Sequence, residues 1–249
     1  MIPQDFKDCR VAITGAGGGY GRDLALAFHR RGAKLFLSDR TASIVLPAEL
    51  DAVDFEYCQA DLTSDLDLQT LVARMLQSGT PDLLINNAGV YPFVNLMDAT
   101  LEDFDAMLNV NLRAPFYLTQ KIGGAMVERS RGAICNISSA AANVIRDNGA
   151  IYGASKAGLE HLTQAFALRF GSAGVRVNGV RPGLRGGDTI QHIPESHLSA
   201  LTARSLLRRL ATPGEVAEVV CFLCSDQATF ITGEVLAVDG GARINRRAT

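Results

Sequence analysis

Tyr152 and Lys156 are the two residues of this sequence best suited to moving a proton. They are four positions apart in a stretch with helical spacing, so their side chains lie one above the other on the same helix face. A neighbouring ammonium stabilises a phenolate and lowers a tyrosine pKa from about 10, as a base working near neutrality requires. Such pairs are also common on helix surfaces. This one gains weight by following an apolar strand that ends in Ser138 and Ser139.

A glycine-rich turn near the start of the sequence is suited to holding phosphate groups. Gly15, Gly19, Tyr20 and Gly21 stand between an apolar run and a helical pattern. Glycine lets the backbone approach a pyrophosphate, and a helix N-terminus offers N–H groups and the positive end of a dipole. The strict Gly-x-Gly-x-x-Gly spacing is absent, and tight strand-to-helix turns also use glycine. The position between a strand and a helix favours the phosphate-binding interpretation.

Asp39 ends the second apolar run, at the distance typical of a residue that hydrogen-bonds the ribose hydroxyls of adenosine. A carboxylate there would repel a 2′-phosphate and so favours NAD over NADP. The alternatives are a simple turn aspartate, or a 2′-phosphate held by the adjacent Arg40. Because no Lys or Arg lies within the glycine turn, we expect NAD, with NADP the less favoured cofactor.

Short apolar runs alternate with helical patterns along the whole sequence. The runs cover residues 11–14, 34–38, 55–59, 82–85, 133–137, 175–180 and 235–238, and helical spacing covers 66–76 and 152–170. Strands rich in Val, Ile and Leu, each followed by a helix, indicate a parallel sheet covered on both faces. We therefore expect one α/β domain over residues 1–249, a doubly wound sheet of seven parallel strands with helices on both faces. Residues 184–201 show little periodicity and predict an irregular lid.

Composition and charge argue against several classes of protein. The net charge of −2 over 249 residues leaves no field to attract nucleic acid or an anionic membrane. No apolar run approaches the roughly 20 residues that span a bilayer, and the first ten residues lack a signal-peptide core, so we expect a soluble, cytoplasmic protein. The five cysteines predict no disulfide framework, and Cys221 and Cys224 are expected to be buried, reduced thiols of a helix. No standard metal-site spacing is present, and no metal is predicted.

Six motifs in a fixed order make the sequence resemble the short-chain dehydrogenase/reductase family, whose members have a Rossmann-type fold. The resemblance covers residues 11–241 and rests on the turn at 14–21, Asp61-Leu62-Thr63, Asn86-Asn87-Ala88-Gly89, Asn109-Val110-Asn111, the set Ser139, Tyr152 and Lys156, and Arg181-Pro182-Gly183. Each motif alone is permissive, whereas six in this order are specific. The resemblance implies an oxidoreductase that moves hydride between a nicotinamide and an alcohol or ketone carbon.

The resemblance also implies catalytic roles. Tyr152 would exchange a proton with the substrate oxygen, and Lys156 would hold the nicotinamide ribose and lower the pKa of Tyr152. Ser139 would hydrogen-bond the substrate oxygen. Asn111 would kink its helix and hold a water that connects Lys156 to solvent.

The cofactor would be lined by a second set of residues that match the family. The Asp61 side chain and the Leu62 backbone would contact the adenine. The remaining members of this set are Asn87, Ala88, Gly89, Pro182, Gly183 and Leu184. Two departures stand out: Tyr20 replaces the usual Ile or Val, and Gly187 replaces a threonine, so that Thr189 is expected to contact the carboxamide.

The substrate pocket is expected to combine polar and apolar side chains, which would suit a polyol, a sugar or another hydroxylated small molecule, and also a β-keto ester. Arg185 could meet a carboxylate or phosphate, or face water. The family also implies a homotetramer that packs the helices at 103–128 and 152–170. The residues expected around the substrate are Ser139, Tyr152, Tyr91, Phe93, Asn143, Ile145, Asp147, Asn148 and Arg185.

Two other functions are compatible with such a fold. A cofactor-binding regulatory protein is one, since fold does not dictate function, although such proteins typically lose Tyr152 or Lys156. A lyase or epimerase that uses the same tyrosine is the other. Those relatives normally add a C-terminal substrate domain.

Overall fold

The computed structural model describes residues 5–50, 53–92, 94–186 and 195–245. Seven strands form one parallel sheet in the order β3-β2-β1-β4-β5-β6-β7. The predicted doubly wound sheet is confirmed, and each strand lies within two residues of its predicted run. The strands are β1 Arg10–Thr14, β2 Lys34–Asp39, β3 Glu56–Gln59, β4 Leu83–Asn86, β5 Gly132–Ile137, β6 Val175–Pro182 and β7 Val235–Val238.

Helices cover both faces of the sheet, as predicted. α1 and α7 pack on one face, and α2, α4 and α5 pack on the other. A π-helical turn, Asn109–Arg113, joins α3 to α4. The helices of the described residues are α1 Gly19–His29, α2 Asp65–Gln77, α3 Leu101–Leu108, α4 Ala114–Glu128, α5 Ala150–Phe170, α6 Glu195–Arg204 and α7 Glu215–Cys224.

The strands are buried on both faces, which explains their continuous apolar character. In β1, Val11 and Ile13 pack with the residues of α1 and α7, whereas Ala12 packs with those of α2, α4 and α5. All three side chains are fully buried. Because consecutive residues of a strand point to opposite faces, a run without polar alternation is what a doubly covered strand requires.

The prediction of an irregular lid over residues 184–201 was wrong in its C-terminal part, because residues from Glu195 to Arg204 form α6. The segment contains the strong helix formers Leu198, Ala200, Leu201, Ala203 and Arg204, and their combined helix propensity outweighs the polar residues among them. In the N-terminal part of the same segment, Arg185 forms an isolated parallel β-bridge with Ala211. Residues 187–194, which include Thr189, lie outside the described residues, as does Phe93.

The cysteines occur as free thiols. Cys221 and Cys224 are buried on α7, as the sequence predicts. Among the described residues, no three or more His, Cys, Asp or Glu side chains are grouped so that they could hold a metal ion. Over the same part of the chain, every helix is too short or too polar to cross a bilayer.

Two adjacent glycines of α4 test how tightly the helix packs on the sheet. A Cβ on Gly123 would lie 2.5 Å from the Phe170 ring and 3.1 Å from Ile134, whereas one on Gly124 meets nothing within 4 Å. We expect Gly123→Ala to lower the free energy of unfolding by about 1–3 kcal/mol through overpacking. Gly124→Ala should raise it by about 0.5–1 kcal/mol, because alanine loses less backbone entropy in a helix. Urea unfolding measures both, and equal effects would contradict the packing.

Candidate active site

The residues predicted to do chemistry meet at the carboxyl ends of β1, β4, β5 and β6. In a parallel sheet these ends share one edge, where ligands of such folds bind. A Cβ built on Gly89, which follows β4, would lie 3.3 Å from Asn111 Oδ1 and 3.4 Å from Lys156 Nζ. The rings of Tyr91 and Tyr152 are 6.3 Å apart and meet edge to face. Three distant parts of the sequence are thus brought together.

α5 carries the tyrosine and the lysine. Tyr152 lies in its first turn and Lys156 one turn later, where the lysine is buried. Lys156 Nζ donates a 2.8 Å hydrogen bond to the Ile137 carbonyl and lies 5.9 Å from the centre of the Tyr152 ring. Ser139, which follows β5, acts on Tyr152 as a side-chain hydrogen-bonding partner that lowers the pKa of the phenol. Strand β5 and helix α5 therefore hold Ser139, Tyr152 and Lys156 as one cluster.

Burial dominates the electrostatics of this cluster. It raises the pKa of Tyr152, against the lowering effect of the Ser139 hydrogen bond. Burial also lowers the pKa of Lys156 from its ordinary 10.5 to about 8. Lys156 is not among the causes of the Tyr152 shift, so the lowering of the Tyr152 pKa expected from the sequence is not seen, and the net shift is upward. The physical reason is that burial removes the phenol from water and so disfavours its charged form.

Asn111 lies in the π-helical turn and is fully buried. Its side chain accepts from Val90 N at 2.9 Å and donates to Val90 O at 2.8 Å, so it holds the loop after β4 at both backbone groups. It also donates to Ser155 of α5 at 3.1 Å. The π turn places one residue out of helical register, a feature that often marks functional sites. Asn111 thereby links the β4 loop to the helix of Tyr152.

The glycine turn between β1 and α1 fits a phosphate-containing cofactor. Gly15 has a φ of +66°, and a Cβ on Gly21 would lie 2.1 Å from the Gly15 carbonyl, so the turn requires glycine at both positions. α1 begins at Gly19 with no acidic residue in its first turn. Its N-cap, Gly18, supplies no side-chain acceptor. The first backbone N–H groups of α1 can therefore donate hydrogen bonds to an anion.

The neighbouring strand ends carry the predicted adenosine contacts. Asp39, at the end of β2, accepts a 2.9 Å hydrogen bond from Gly17 N, so the carboxylate faces the glycine turn. Asp61 follows β3, and Thr63 donates to it from both backbone and hydroxyl, which lowers the pKa of Asp61. Leu62 is buried beside it. The two carboxylates thus follow adjacent strands.

The Asn-Ala-Gly loop after β4 is fastened to the same turn. Asn87 Nδ2 donates to the carbonyls of Thr14 and Gly15, each at 2.9 Å. The Thr14 hydroxyl accepts from Asn87 N and Ala88 N. The loop that holds Gly89 beside Lys156 is therefore connected by hydrogen bonds to the glycine turn.

The segment after β6 is tied to α1 by two contacts. The Tyr20 hydroxyl donates to the Gly183 carbonyl at 2.7 Å, and burial raises the pKa of Tyr20. Arg185 forms a buried bidentate ion pair with Asp23, at 2.5 and 2.8 Å. The Arg185 side chain is only 7% exposed, so the alternative that it faces water is corrected, whereas its contact with substrate stays a prediction. Leu184, between Gly183 and Arg185, is exposed.

The other predicted substrate residues lie on loops around Tyr152. Tyr91 is 61% exposed and contacts the Tyr152 ring at its edge. Asn148 is exposed in a short turn directly before α5. Asn143 and Ile145 are also exposed. The structure therefore brings Tyr91 to Tyr152 and places Asn148 at the start of the same helix.

Glu160 is a charged residue near the site that the sequence analysis missed. Its carboxylate accepts hydrogen bonds from Ser138 and from Arg181. A usable signal exists in the sequence, because Glu160 is four positions after Lys156 and eight after Tyr152, on the same helix face. Asp23 was missed as well, and nothing in its sequence neighbourhood points to Arg185.

The sheet, the glycine turn and the Ser–Tyr–Lys cluster define a doubly wound α/β protein in which a glycine turn suited to phosphate lies at the same sheet edge as a buried tyrosine–lysine pair. Residues 15–243 match a family model described as enoyl-(acyl carrier protein) reductase. A 3-oxoacyl-[acyl-carrier-protein] reductase of Thermotoga maritima is 33% identical, over 92% of this chain and 95% of its own. The chain belongs to the short-chain dehydrogenase/reductase family, a family of oxidoreductases.

Solved structures show the same fold over nearly the whole chain. A candidate NAD(P)-dependent gluconate 5-dehydrogenase of Beutenbergia cavernae, with NADP bound at low occupancy, has a TM-score of 0.90 and 30% identity, covering 98% of this chain and 100% of its own. A 4-hydroxyisoleucine dehydrogenase in complex with NADH also has a TM-score of 0.90, with 26% identity, covering 96% of this chain and 100% of its own. The two relatives thus carry different nicotinamide cofactors.

The burial of Lys156 has a consequence for stability. Because its pKa is about 8 in the fold and 10.5 ordinarily, the unfolded chain binds more protons at this residue between those pH values. The contribution of Lys156 to the free energy of unfolding therefore rises with pH across this window and is lowest below it. We expect wild type to gain stability relative to Lys156→Met from pH 8 to 10.5, measured by urea unfolding. Parallel curves for the two proteins would contradict a lowered pKa.

Proposed function

We propose that this protein is an NAD-dependent dehydrogenase/reductase that transfers hydride between NAD(H) and the carbon of a secondary alcohol or ketone, with Tyr152 as the proton-transfer residue. The observation that carries the proposal is the cluster in which the buried Lys156 Nζ lies 5.9 Å from the centre of the Tyr152 ring, with Ser139 acting on the pKa of the same phenol. Membership of an oxidoreductase family supports the reaction type.

The chemistry of the proposed reaction is divided between the cofactor and the protein. The nicotinamide, when bound, accepts or supplies hydride. Burial keeps the Tyr152 phenol protonated near neutral pH, so its O–H can be donated to a developing alkoxide in reduction. In oxidation the same oxygen accepts the hydroxyl proton. Ser139 hydrogen-bonds the substrate oxygen and steadies its charge.

The residues proposed to hold the cofactor follow the order of its parts. The glycine turn and the N-terminus of α1 hold the pyrophosphate, and the carboxylates of Asp39 and Asp61 serve the adenosine end. Lys156 binds the nicotinamide ribose, and Gly89 leaves room beside it. Asn111 holds a water connected to Lys156. The remaining members of the proposed set are Gly15, Gly19, Tyr20, Gly21, Leu62, Asn87, Ala88, Pro182, Gly183, Leu184 and Thr189.

The favoured substrate is a polyol, a sugar or another hydroxylated small molecule, with a β-keto ester as the alternative. Exposed Tyr91 and Asn148 offer a ring face and an amide beside Tyr152. The described activities of the two relatives with solved structures, on gluconate and on 4-hydroxyisoleucine, support a hydroxylated substrate, whereas the reductase of Thermotoga maritima supports the keto compound. Absorbance of NADH, followed with NAD and NADP in parallel against these classes, tests the choice. NADH binding without turnover of any class would favour a regulatory protein.

We further propose a homotetramer in the cytoplasm. Large exposed apolar side chains on α3, α4 and α5, among them Phe104, Phe116 and Leu168, support packing of these helices against neighbouring copies. The five free thiols support a reducing compartment. Light scattering would give four times the 26.6 kDa chain mass for a tetramer.

Removing the Tyr152 hydroxyl tests the mechanism. We expect Tyr152→Phe to abolish turnover and to leave the NAD dissociation constant nearly unchanged, because the phenol serves proton transfer. Tyr117→Phe is a matched control, since Lys121 is four residues on and its Nζ is 5.5 Å from the Tyr117 ring, on α4 away from the cluster. Substantial activity in Tyr152→Phe, measured by NADH absorbance, would rule out the proposed mechanism.

Removing the Asp39 carboxylate tests the cofactor preference. We expect Asp39→Ala to weaken NAD binding. The kcat/KM with NADP, divided by the kcat/KM with NAD, should rise roughly tenfold, because a charge that repels the 2′-phosphate is lost. Asp54→Ala is the control, since Asp54 is exposed before β3, at the opposite edge of the sheet. An unchanged preference would remove Asp39 from this role.

A further inference from the structure

Three elements that carry the proposed site meet at one carboxylate, that of Glu160 on α5. Ser138, directly after β5, donates its hydroxyl to Glu160 Oε1 at 2.7 Å. Arg181, near the end of β6, donates from Nε to Oε1 at 2.6 Å and from Nη2 to Oε2 at 2.9 Å. The carboxylate and guanidinium side chains are only 12% and 19% exposed. Charge-assisted, two-pronged contacts of this kind are strong and directional.

Glu160 differs from the other side chains that join α5 to β5. Lys156 bonds the Ile137 carbonyl, and Thr163 accepts from Asn136 at 2.9 Å, so each of these reaches β5. Glu160 reaches β5 through Ser138 and also β6 through Arg181. It therefore couples both strand ends to the helix of Tyr152.

The anchor on Ser138 determines how Ser139 is presented. Ser138 is buried, and its backbone N–H bonds the Val180 carbonyl at 2.8 Å. Ser139 has extended backbone angles, φ −157° and ψ 153°. Because Ser138 and Ser139 are consecutive residues of an extended segment, holding the Ser138 side chain against Glu160 also fixes the orientation of the Ser139 side chain.

The anchor on Arg181 acts in the same way on the other strand. Arg181 directly precedes Pro182 and Gly183, the residues proposed to shape the nicotinamide pocket. The Gly183 carbonyl in turn accepts a hydrogen bond from the Tyr20 hydroxyl of α1. A shift of Arg181 would therefore be passed to the turn that faces the cofactor.

We propose that Glu160 is a positioning residue, which holds Ser139 and the Pro182–Gly183 turn at fixed distances from Tyr152 and Lys156. The inference rests on the proposed function, since it concerns the same site. The role is geometric, because the pair is internally neutral and Glu160 contributes to the pKa shift of neither Tyr152 nor Lys156. Displacements of about 1 Å can cost on the order of 100-fold in rate, so a residue that never contacts substrate can matter to turnover.

The first test removes one arm of the contact. Ser138→Ala deletes the hydrogen bond to Glu160 and leaves the ion pair with Arg181 intact. We expect kcat to fall roughly tenfold with an unchanged NADH dissociation constant. In a Ser139→Ala background, assayed at high enzyme concentration, Ser138→Ala should change kcat by less than about twofold, because its effect acts through Ser139. The inference would be overturned if the kcat of the double variant were reduced by the product of the two single-variant factors. It would also be overturned if Ser138→Ala alone left kcat unchanged.

The second test removes the carboxylate. Glu160→Ala should weaken NADH binding about threefold to tenfold, because the Pro182–Gly183 turn is released, and Glu160→Gln should recover part of this loss by keeping an acceptor for Ser138 and Arg181. Glu218→Gln is the control, since Glu218 pairs with the buried Arg31 away from the cluster. NADH fluorescence titration reports this without turnover.

The two hypotheses fail differently. If wild type turns over none of the substrates offered, the proposed function fails, while NADH affinity in Glu160→Ala still decides the positioning role. An NADH affinity equal to that of Glu218→Gln would overturn positioning. If Glu160→Ala does not fold, Glu160→Gln and Ser138→Ala decide instead.

Discussion

The constraint on which this structure depends is that all seven strands of its sheet are parallel. Their carboxyl ends therefore share one edge, and the first residues after each strand are the ones free to meet a ligand. The glycine turn follows β1, Asp39 ends β2, and the Asn-Ala-Gly loop follows β4. Ser139 follows β5. The parallel arrangement of the strands thus brings together residues that are more than 100 positions apart in the chain.

Burial of a lysine is the main electrostatic cost at this edge. Lys156 is almost wholly removed from water, and its ammonium is compensated by the Ile137 carbonyl rather than by a carboxylate. This loss of solvation disfavours the ammonium form and lowers the pKa of Lys156. The neighbouring carboxylate of Glu160 is paired with the guanidinium of Arg181. The pair has no net charge, so Glu160 can position the site without adding a net charge to it.

The chain contains a second tyrosine and lysine at the same spacing, Tyr117 and Lys121 on α4, and the geometry of the two pairs is similar. Lys121 is exposed, whereas Lys156 is buried and in contact with a strand end. Spacing alone therefore does not distinguish the pair proposed to transfer a proton. In the sequence, the serines after β5 and the order of the other motifs distinguish Tyr152 and Lys156 from Tyr117 and Lys121. In the structure, the burial of the lysine distinguishes them.

The sequence by itself determined the sheet, the glycine turn and the identity of the Ser–Tyr–Lys cluster, because these depend on hydrophobic periodicity and on motifs a few residues long. Only the tertiary structure decided the partners of Arg185 and Glu160 and the direction of the Tyr152 pKa shift. Asp23 and Arg185 are 162 positions apart. Contacts at such separations and the loss of solvation both depend on how the whole chain packs, so no local pattern records them.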